Sequence, residues 1–355
     1  MYKYRHFIPE NVAPREAKSI GVFDENGKRV CSIPLGRLAQ SRSDKRYSFL
    51  ALSDVHITAN TASDDLGRAL TFAENNCDFT CICGDLTITG ADEQLTQYKS
   101  IVDTYAKTKP VYAMGGNHET RLAYMTYDRL TPYTGHPMYY SFTKGDDVFI
   151  MLSHYGKYED STYWQASEFV SVDELQWLYE TLEANRNKRC FVFNHVYPWN
   201  DGVGDANRFY NGKQWLTDDG SIGQAYINLL KHYKNTILFH GHSHLRYHLQ
   251  ETDKKANYSS AVGYRSVHIS SVAIPRDRVD GTTSYIYAES EGYVVDVYDD
   301  CIILNGRDFI DNDADGHIIP LGTYKVDTKL VNIEANTFTD NTGTIKNSLA
   351  TVADM

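Results

Sequence analysis

Tyr47-Ser48-Phe49-Leu50-Ala51-Leu52 is a short apolar run, and Asp54-Val55-His56 follows it almost at once. The same succession returns along the chain. Apolar runs at 78–83 and 111–114 lead into Gly84-Asp85 and Gly116-Asn117-His118-Glu119, and runs at 190–193 and 236–239 lead into Asn194-His195 and Gly241-His242-Ser243-His244. A further run spans 148–152. Helical patterns lie between them at 64–75, 92–107 and 172–185, the last with Leu175, Leu178 and Leu182 at helical spacing. Short strands alternating with helices predict an α/β domain with mostly buried strands. Sheets of this kind place their sites at the carboxyl ends of the strands, so the polar clusters can converge there.

The 355 residues allow one large domain with additions, or two domains, at roughly 150 residues per domain. A hydrophobic share of 42% and a charged share of 23% are enough to bury a sizeable core. Against 35 Lys and Arg stand 46 Asp and Glu, a formal charge of −11 that argues against a protein coating nucleic acid or anionic membrane. No stretch approaches the roughly 18 apolar residues that span a bilayer. The start, Met1-Tyr2-Lys3-Tyr4-Arg5-His6, leads into Phe7-Ile8-Pro9 without an apolar segment, so the sequence predicts no signal peptide and a cytoplasmic location. The six cysteines then read as reduced, with Cys81 and Cys83 on one face of a strand as small buried hydrophobes.

The five polar clusters carry the chemistry. Asp, His and Asn supply hard oxygen and imidazole nitrogen donors, a set suited to Mn²⁺, Fe or Zn²⁺ rather than to calcium. If the segments are extended, Asp54 and His56 face the same way, as do His242 and His244. Seven candidate ligands exceed what one ion needs, and two ions sharing a carboxylate fit the number.

In this order, Asp-x-His, Gly-Asp, Gly-Asn-His-Glu, His and Gly-His-x-His resemble the calcineurin-like metallophosphoesterase superfamily over about residues 48–250. The resemblance implies a four-layer α/β/β/α sandwich with two mixed β-sheets and a site for two metal ions, Mn²⁺ first among them, with Fe or Zn²⁺ as alternatives. It implies that Asp54, His56 and His244 hold one ion and Asn117, His195 and His242 the other, with Asp85 shared and active in catalysis. His118 would be the general acid at the leaving group. Such ions, roughly 3.5–4 Å apart, clamp a phosphoryl group and acidify bound water. Gly84-Asp85-Leu86-Thr87 and Val192-Phe193-Asn194-His195 resemble the branch of cyclic-nucleotide phosphodiesterases and purple acid phosphatases. Ile88 stands where the purple enzymes place a tyrosine ligand, and His56 is a histidine they lack, which implies a colourless site.

The expected function is hydrolysis of a phosphoester, a phosphodiester or nucleotide rather than a phosphoprotein. The alternatives are a phosphomonoesterase of the same fold, or a metal-binding scaffold in a larger assembly or oligomer. His154 and Tyr155 after the 148–152 run, and Tyr197 and Arg208 in or near the polar loop 199–220, are candidate substrate contacts, with Lys213 and Arg121 as further cations. The expected organisation is an N-terminal β-hairpin extension over 1–46, the catalytic domain over 47–305, and a C-terminal β segment and polar tail over 306–355. Asp311-Asn312-Asp313-Ala314-Asp315-Gly316 opens like a calcium loop but has Gly322 at the twelfth position, where that loop needs Glu, so it reads as a turn between strands.

Overall fold

Along Tyr47–Leu52, Phe49 and Ala51 face one apolar cluster, Leu50 and Leu52 face another, and all six residues are buried. A strand apolar on both faces must be covered on both, which makes it an inner layer. The computed structural model describes residues 44–58, 62–120, 125–154, 170–196, 222–247, 258–260, 263–279, 282–310 and 314–320, together with strand residues 19–23, 29–34, 337–339 and 345–347.

Its elements are β1 (Ser19–Phe23), β2 (Arg29–Pro34), β3 (Tyr47–Leu52), α1 (Ala62–Asn76), β4 (Phe79–Cys83), α2 (Asp92–Tyr105), β5 (Val111–Met114), α3 (Thr131–Thr134), β6 (Tyr140–Lys144), β7 (Asp147–Leu152), α4 (Val172–Ala184), β8 (Cys190–Asn194), α5 (Ile222–His232) and β9 (Thr236–His240). Then follow β10 (Tyr258–Ser259), β11 (Arg265–His268), β12 (Arg276–Val279), β13 (Thr282–Tyr285), β14 (Glu291–Val297), β15 (Cys301–Asp308), β16 (Ala314–Pro320), β17 (Thr337–Thr339) and β18 (Ile345–Asn347). Two six-stranded sheets run in the orders β16-β15-β14-β3-β4-β5 and β10-β11-β9-β8-β7-β6. Each is mixed: β3, β4 and β5 are parallel, as are β7, β8, β9 and β11, with antiparallel strands at the flanks.

Four layers result. Phe49, Phe79, Phe149, Phe191, Phe193 and Phe239 fill the space between the sheets. Outside, α1 and α2 cover one sheet through Leu66, Leu70 and Tyr98, and α4 and α5 cover the other through Leu175, Leu178, Leu182, Tyr226 and Leu230. Cys81 and Cys83 are free thiols within the inner cluster, as their spacing predicts. Among the described residues, no helix is long and apolar enough to cross a membrane.

The expected N-terminal hairpin is present as β1 paired with β2, and residues 24–28 between them lie outside the described residues. The boundary expected between 305 and 306 falls inside β15, because its pairing with β14 continues until Asp308 opposes Glu291. Strand β16 then extends the same sheet. Ala314, Asp315 and Gly316 belong to β16, while Asp311, Asn312 and Asp313 lie outside the described residues.

Helix α4 begins with a capping box, in which Ser171 Oγ accepts the Glu174 N–H at 3.1 Å and the Glu174 carboxylate accepts the Ser171 N–H. The same carboxylate accepts the Ser153 N–H at 2.9 Å, tying the helix start to the end of β7. Ser171→Ala leaves the Glu174 N–H without its acceptor and is expected to lower unfolding stability by about 1 kcal/mol, read as a fall in urea midpoint at constant slope.

Candidate metal centre

Strands β3, β4, β5, β8 and β9 end at Leu52, Cys83, Met114, Asn194 and His240, and the candidate ligands stand just beyond those ends. The chain does not leave the strands extended. Positive φ values occur at Asp54 (54°), His56 (48°), Asp85 (51°), His242 (73°) and His244 (57°), and Thr58 is the one other such non-glycine residue among those described. An L-residue in left-handed backbone costs roughly 1–2 kcal/mol, and such residues collect where function demands them. Close packing accompanies the strain. At Gly84, where φ is 78°, a Cβ would lie 2.7 Å from His195 Cβ, and at Gly241 it would strike Ser53 Oγ and Asp54 Oδ2. The glycines of the motifs are therefore places where the loops touch.

Two groups of ligand atoms assemble. One atom each from Asp54, His56, Asp85 and His244 lie within 4.8 Å of one another, and Asp85, His195 and His242 form a second such group. Asp85 is common to both. Asn117 joins the second group, with its Oδ1 3.0 Å from His242 Nδ1. His242 and His244, both left-handed, enter different groups, the division that the resemblance implies.

The proton positions decide what these groups can hold. His195 Nδ1 lies 2.6 Å from the Cys83 carbonyl and His244 Nδ1 2.9 Å from that of Ile274. A carbonyl only accepts, so each Nδ1 carries a proton and each ring, in its neutral form, offers a lone pair at Nε2. That lone pair of His244 is 2.8 Å from Asp54 Oδ1 and 3.0 Å from His56 Nε2, and that of His195 is 3.0 Å from Asp85 Oδ2. Asp54 Oδ1 and His195 Nε2 are buried without a hydrogen-bond partner. Acceptors facing acceptors in a buried site require a positive charge between them, and this mixture of imidazole and carboxylate fits a first-row divalent metal.

Without an ion, a proton supplies that positive charge. Burial opposes ionisation of Asp54, yet the His244 and His195 imidazoles hold its carboxyl well below the usual range; for Asp85, burial is likewise outweighed, by His118 and His195. Burial would lower His195, but Asp85 and then Asp54 pull it up to about 9. Burial, and then Arg276, holds His244 down at about 4.

His118 sits differently, at the start of a 3-10 turn, His118–Thr120. Its N–H donates to Asp85 Oδ1 at 2.9 Å, its Nδ1 is 2.7 Å from the Ile88 carbonyl, and its Nε2 is 3.7 Å from Asp85 Oδ2. Its side chain is 16% exposed, whereas those of Asp54, His56, Asp85, His195 and His244 are at most 3% exposed. Of the candidate substrate contacts, His154 is buried at the end of β7, its N–H donating to Gly115 O at 3.1 Å, and burial, then His195, brings its ring down to about 3. Tyr155, Tyr197, Arg208, Lys213 and Arg121 lie outside the described residues.

Supporting groups that the sequence reading did not single out surround the ligands. Asp54 Oδ2 accepts from Ser53 Oγ at 2.7 Å and from the His242 N–H at 2.9 Å, and Ser271 Oγ donates to the Asp54 carbonyl at 2.8 Å. Buried Glu119 accepts the Thr87 N–H and hydroxyl on one oxygen and the Gly116 N–H on the other. Burial, then the Asp85 charge, raises its carboxyl to about 7. Ser271 is more than two hundred residues from Asp54, so no local pattern announces it.

A family model described as calcineurin-like phosphoesterase matches residues 47–246, the span that holds all five clusters. No curated relative matches significantly. Solved structures similar to this chain include a conserved uncharacterised protein of Streptococcus pneumoniae described as a predicted phosphoesterase, at 10% identity, covering 77% of this chain and 97% of that one, with a TM-score of 0.36. Vacuolar protein sorting 29 of Cryptosporidium parvum matches at 14% identity over 78% and 98% of the two chains, with a TM-score of 0.35. The NAD nucleotidase of Haemophilus influenzae matches at 10% identity over 86% of this chain and 54% of its own, with a TM-score of 0.36. Likenesses this loose say nothing about substrate. The matched span exceeds half of the chain, and on that match the chain belongs to the calcineurin-like phosphoesterase family.

Proposed function

We propose that the protein is a two-metal phosphohydrolase acting on a phosphodiester or nucleotide-type ester. The observation that carries this reading is the meeting of Asp54 Oδ1, His56 Nε2 and His244 Nε2 at one buried point, beside a second group that shares Asp85. Asp54, His56 and His244 would hold one ion, Asn117, His195 and His242 the other, and Asp85 both. Bound there, Mn²⁺ or another divalent ion supplies Lewis-acid polarisation of the phosphoryl group and acidifies water.

The chain's own groups do the rest. Asn117 is neutral, which limits negative charge where an anionic ester must dock. His118 is the general acid. Its Nδ1 proton rests on the Ile88 carbonyl, so Nε2, on the partly exposed side chain, is the atom that hands over a proton. As the P–O bond breaks, its electron pair stays on the leaving oxygen, which takes the Nε2 proton, and the ring returns to its neutral form.

Loaded with Mn²⁺, the protein is expected to hydrolyse bis(p-nitrophenyl) phosphate faster than p-nitrophenyl phosphate. Chelation, and separately Asn117→Ala, should each lower the diester rate by roughly 10² or more. Activity that survives both would overturn the reading.

A further inference from the structure

The loop from Asp85 to Gly90 carries two things at once, the shared carboxylate and the Ile88 carbonyl that orients the His118 ring. Whatever fixes this loop against the His118 turn also aims the acid. The two segments touch at Gly90, where φ is 73° and a Cβ would collide with the Glu119 backbone. Arg129, just before α3, spans that contact: its Nη1 donates to the Glu119 carbonyl at 2.8 Å and its Nη2 to the Gly90 carbonyl at 2.5 Å. Beneath it, the Glu119 carboxylate ties Thr87 to Gly116. A guanidinium presents parallel donors in a rigid fork, so it fixes the spacing of two carbonyls, which an ammonium does not.

We propose that Arg129 is a positioning residue for proton delivery: by clamping Gly90 O to Glu119 O, it keeps His118 Nδ1 on Ile88 O and Nε2 turned toward the leaving group. Arg129 is in neither ligand group. The proposal rests on His118 being the general acid, and its test separates the two ideas.

Proton delivery matters most when the leaving oxygen is basic. Diphenyl phosphate, which releases the more basic phenolate, should therefore respond more than bis(p-nitrophenyl) phosphate. For Arg129→Lys, kcat on diphenyl phosphate is expected to fall roughly tenfold or more beyond any fall on the nitrophenyl ester, because misplacing a reacting group by about 1 Å costs on the order of 10²-fold. Metal content per chain should be retained. Long-range proton–nitrogen NMR on the metal-free protein provides a readout independent of turnover: the wild type should show His118 protonated at Nδ1 with slow exchange, and the variant a mixture of tautomers.

His118→Asn is the control and should show the same leaving-group discrimination. If it does not, the acid assignment fails and the proposal with it. If it does while Arg129→Lys slows both esters equally or leaves the His118 tautomer unchanged, the positioning role alone is overturned. Should Arg129→Lys not fold, rapid exchange of the His118 Nδ1 proton in the wild type would overturn the clamp directly, and slow exchange would support it.

Discussion

Asp85→Asn is expected to reduce bound metal from two ions per chain to one or none and to lower kcat/KM on a phosphodiester on the order of 10³-fold or more, several kcal/mol of transition-state stabilisation. The substitution keeps the shape of the side chain and removes its charge. The amide oxygen can still accept the His118 N–H that Asp85 Oδ1 accepts at 2.9 Å. On the other side, an NH₂ replaces Oδ2, which faces His195 Nε2 at 3.0 Å and His56 Nε2 and His118 Nε2 at 3.7 Å each. An amide nitrogen has no lone pair for a cation, so the atom shared by the two groups is lost. The fold should survive because the side-chain shape is kept and the amide NH₂ can donate to a neutral His195 Nε2, but at a cost, since His118 and His195 hold Asp85 ionised and removing one member of a buried pair destabilises the fold. Metal-free, the variant should unfold at a lower urea concentration than the metal-free wild type, because the ionised Asp85 contributes stability at neutral pH, and added Mn²⁺ should raise the midpoint of the wild type far more than that of the variant. Elemental analysis, kinetics and the two denaturation curves test this together. Two ions retained with an undiminished rate would refute the bridging role.

The layers and the place of the site were legible because one physical rule governs both. Phe49 and Leu50 differ by one position and face opposite clusters, so a continuous apolar run already means a strand covered on both sides. A polar cluster directly after such a run can only stand at the sheet's edge, and five of them, each after one of the parallel strands β3, β4, β5, β8 and β9, come to one edge. The partition of the ligands was not legible in the same way. Alternation says only that His242 and His244 head toward one side; the backbone there is left-handed rather than extended, and nothing local in the sequence states a φ angle or which group each ring enters. The clamps were hidden for a different reason. The carbonyls of Cys83, Ile88 and Ile274 that set the imidazole tautomers belong to residues whose side chains have no part in the contact. A hairpin pattern predicts pairing and not where pairing stops, so the break expected at 305 falls within β15, whose ladder with β14 runs on until Asp308 opposes Glu291.

Phe49→Ala should be the most damaging change away from the metal centre, lowering unfolding stability by about 3–5 kcal/mol. Phe49 is fully buried, and its ring lies 5.4 Å from that of Phe79 on its own sheet. Across the gap it meets Phe149 at 5.2 Å, Phe191 at 5.5 Å, Phe239 at 6.1 Å and Phe193 at 6.3 Å, all edge-on. It is therefore the ring through which the first sheet engages three strands of the second. The hole left by truncation is walled by rings held on hydrogen-bonded strands, which can close in only slightly, so the cavity cost adds to the lost burial. Each lost edge-to-face pair removes roughly a further 0.5–1.5 kcal/mol, with strong non-additivity among neighbours. Phe49→Leu refills most of the volume without a ring edge, and about half the loss or less should remain. Because Phe49 lies five residues before Asp54 on the strand that delivers it, the same variant asks whether the site depends on intersheet packing. Below its own unfolding transition, Phe49→Ala should still bind two ions, since Asp54 is anchored independently by Ser53 Oγ, the His242 N–H and Ser271 Oγ. A loss under about 1 kcal/mol would show that the rings between the sheets repack freely, which their close-packed density argues against.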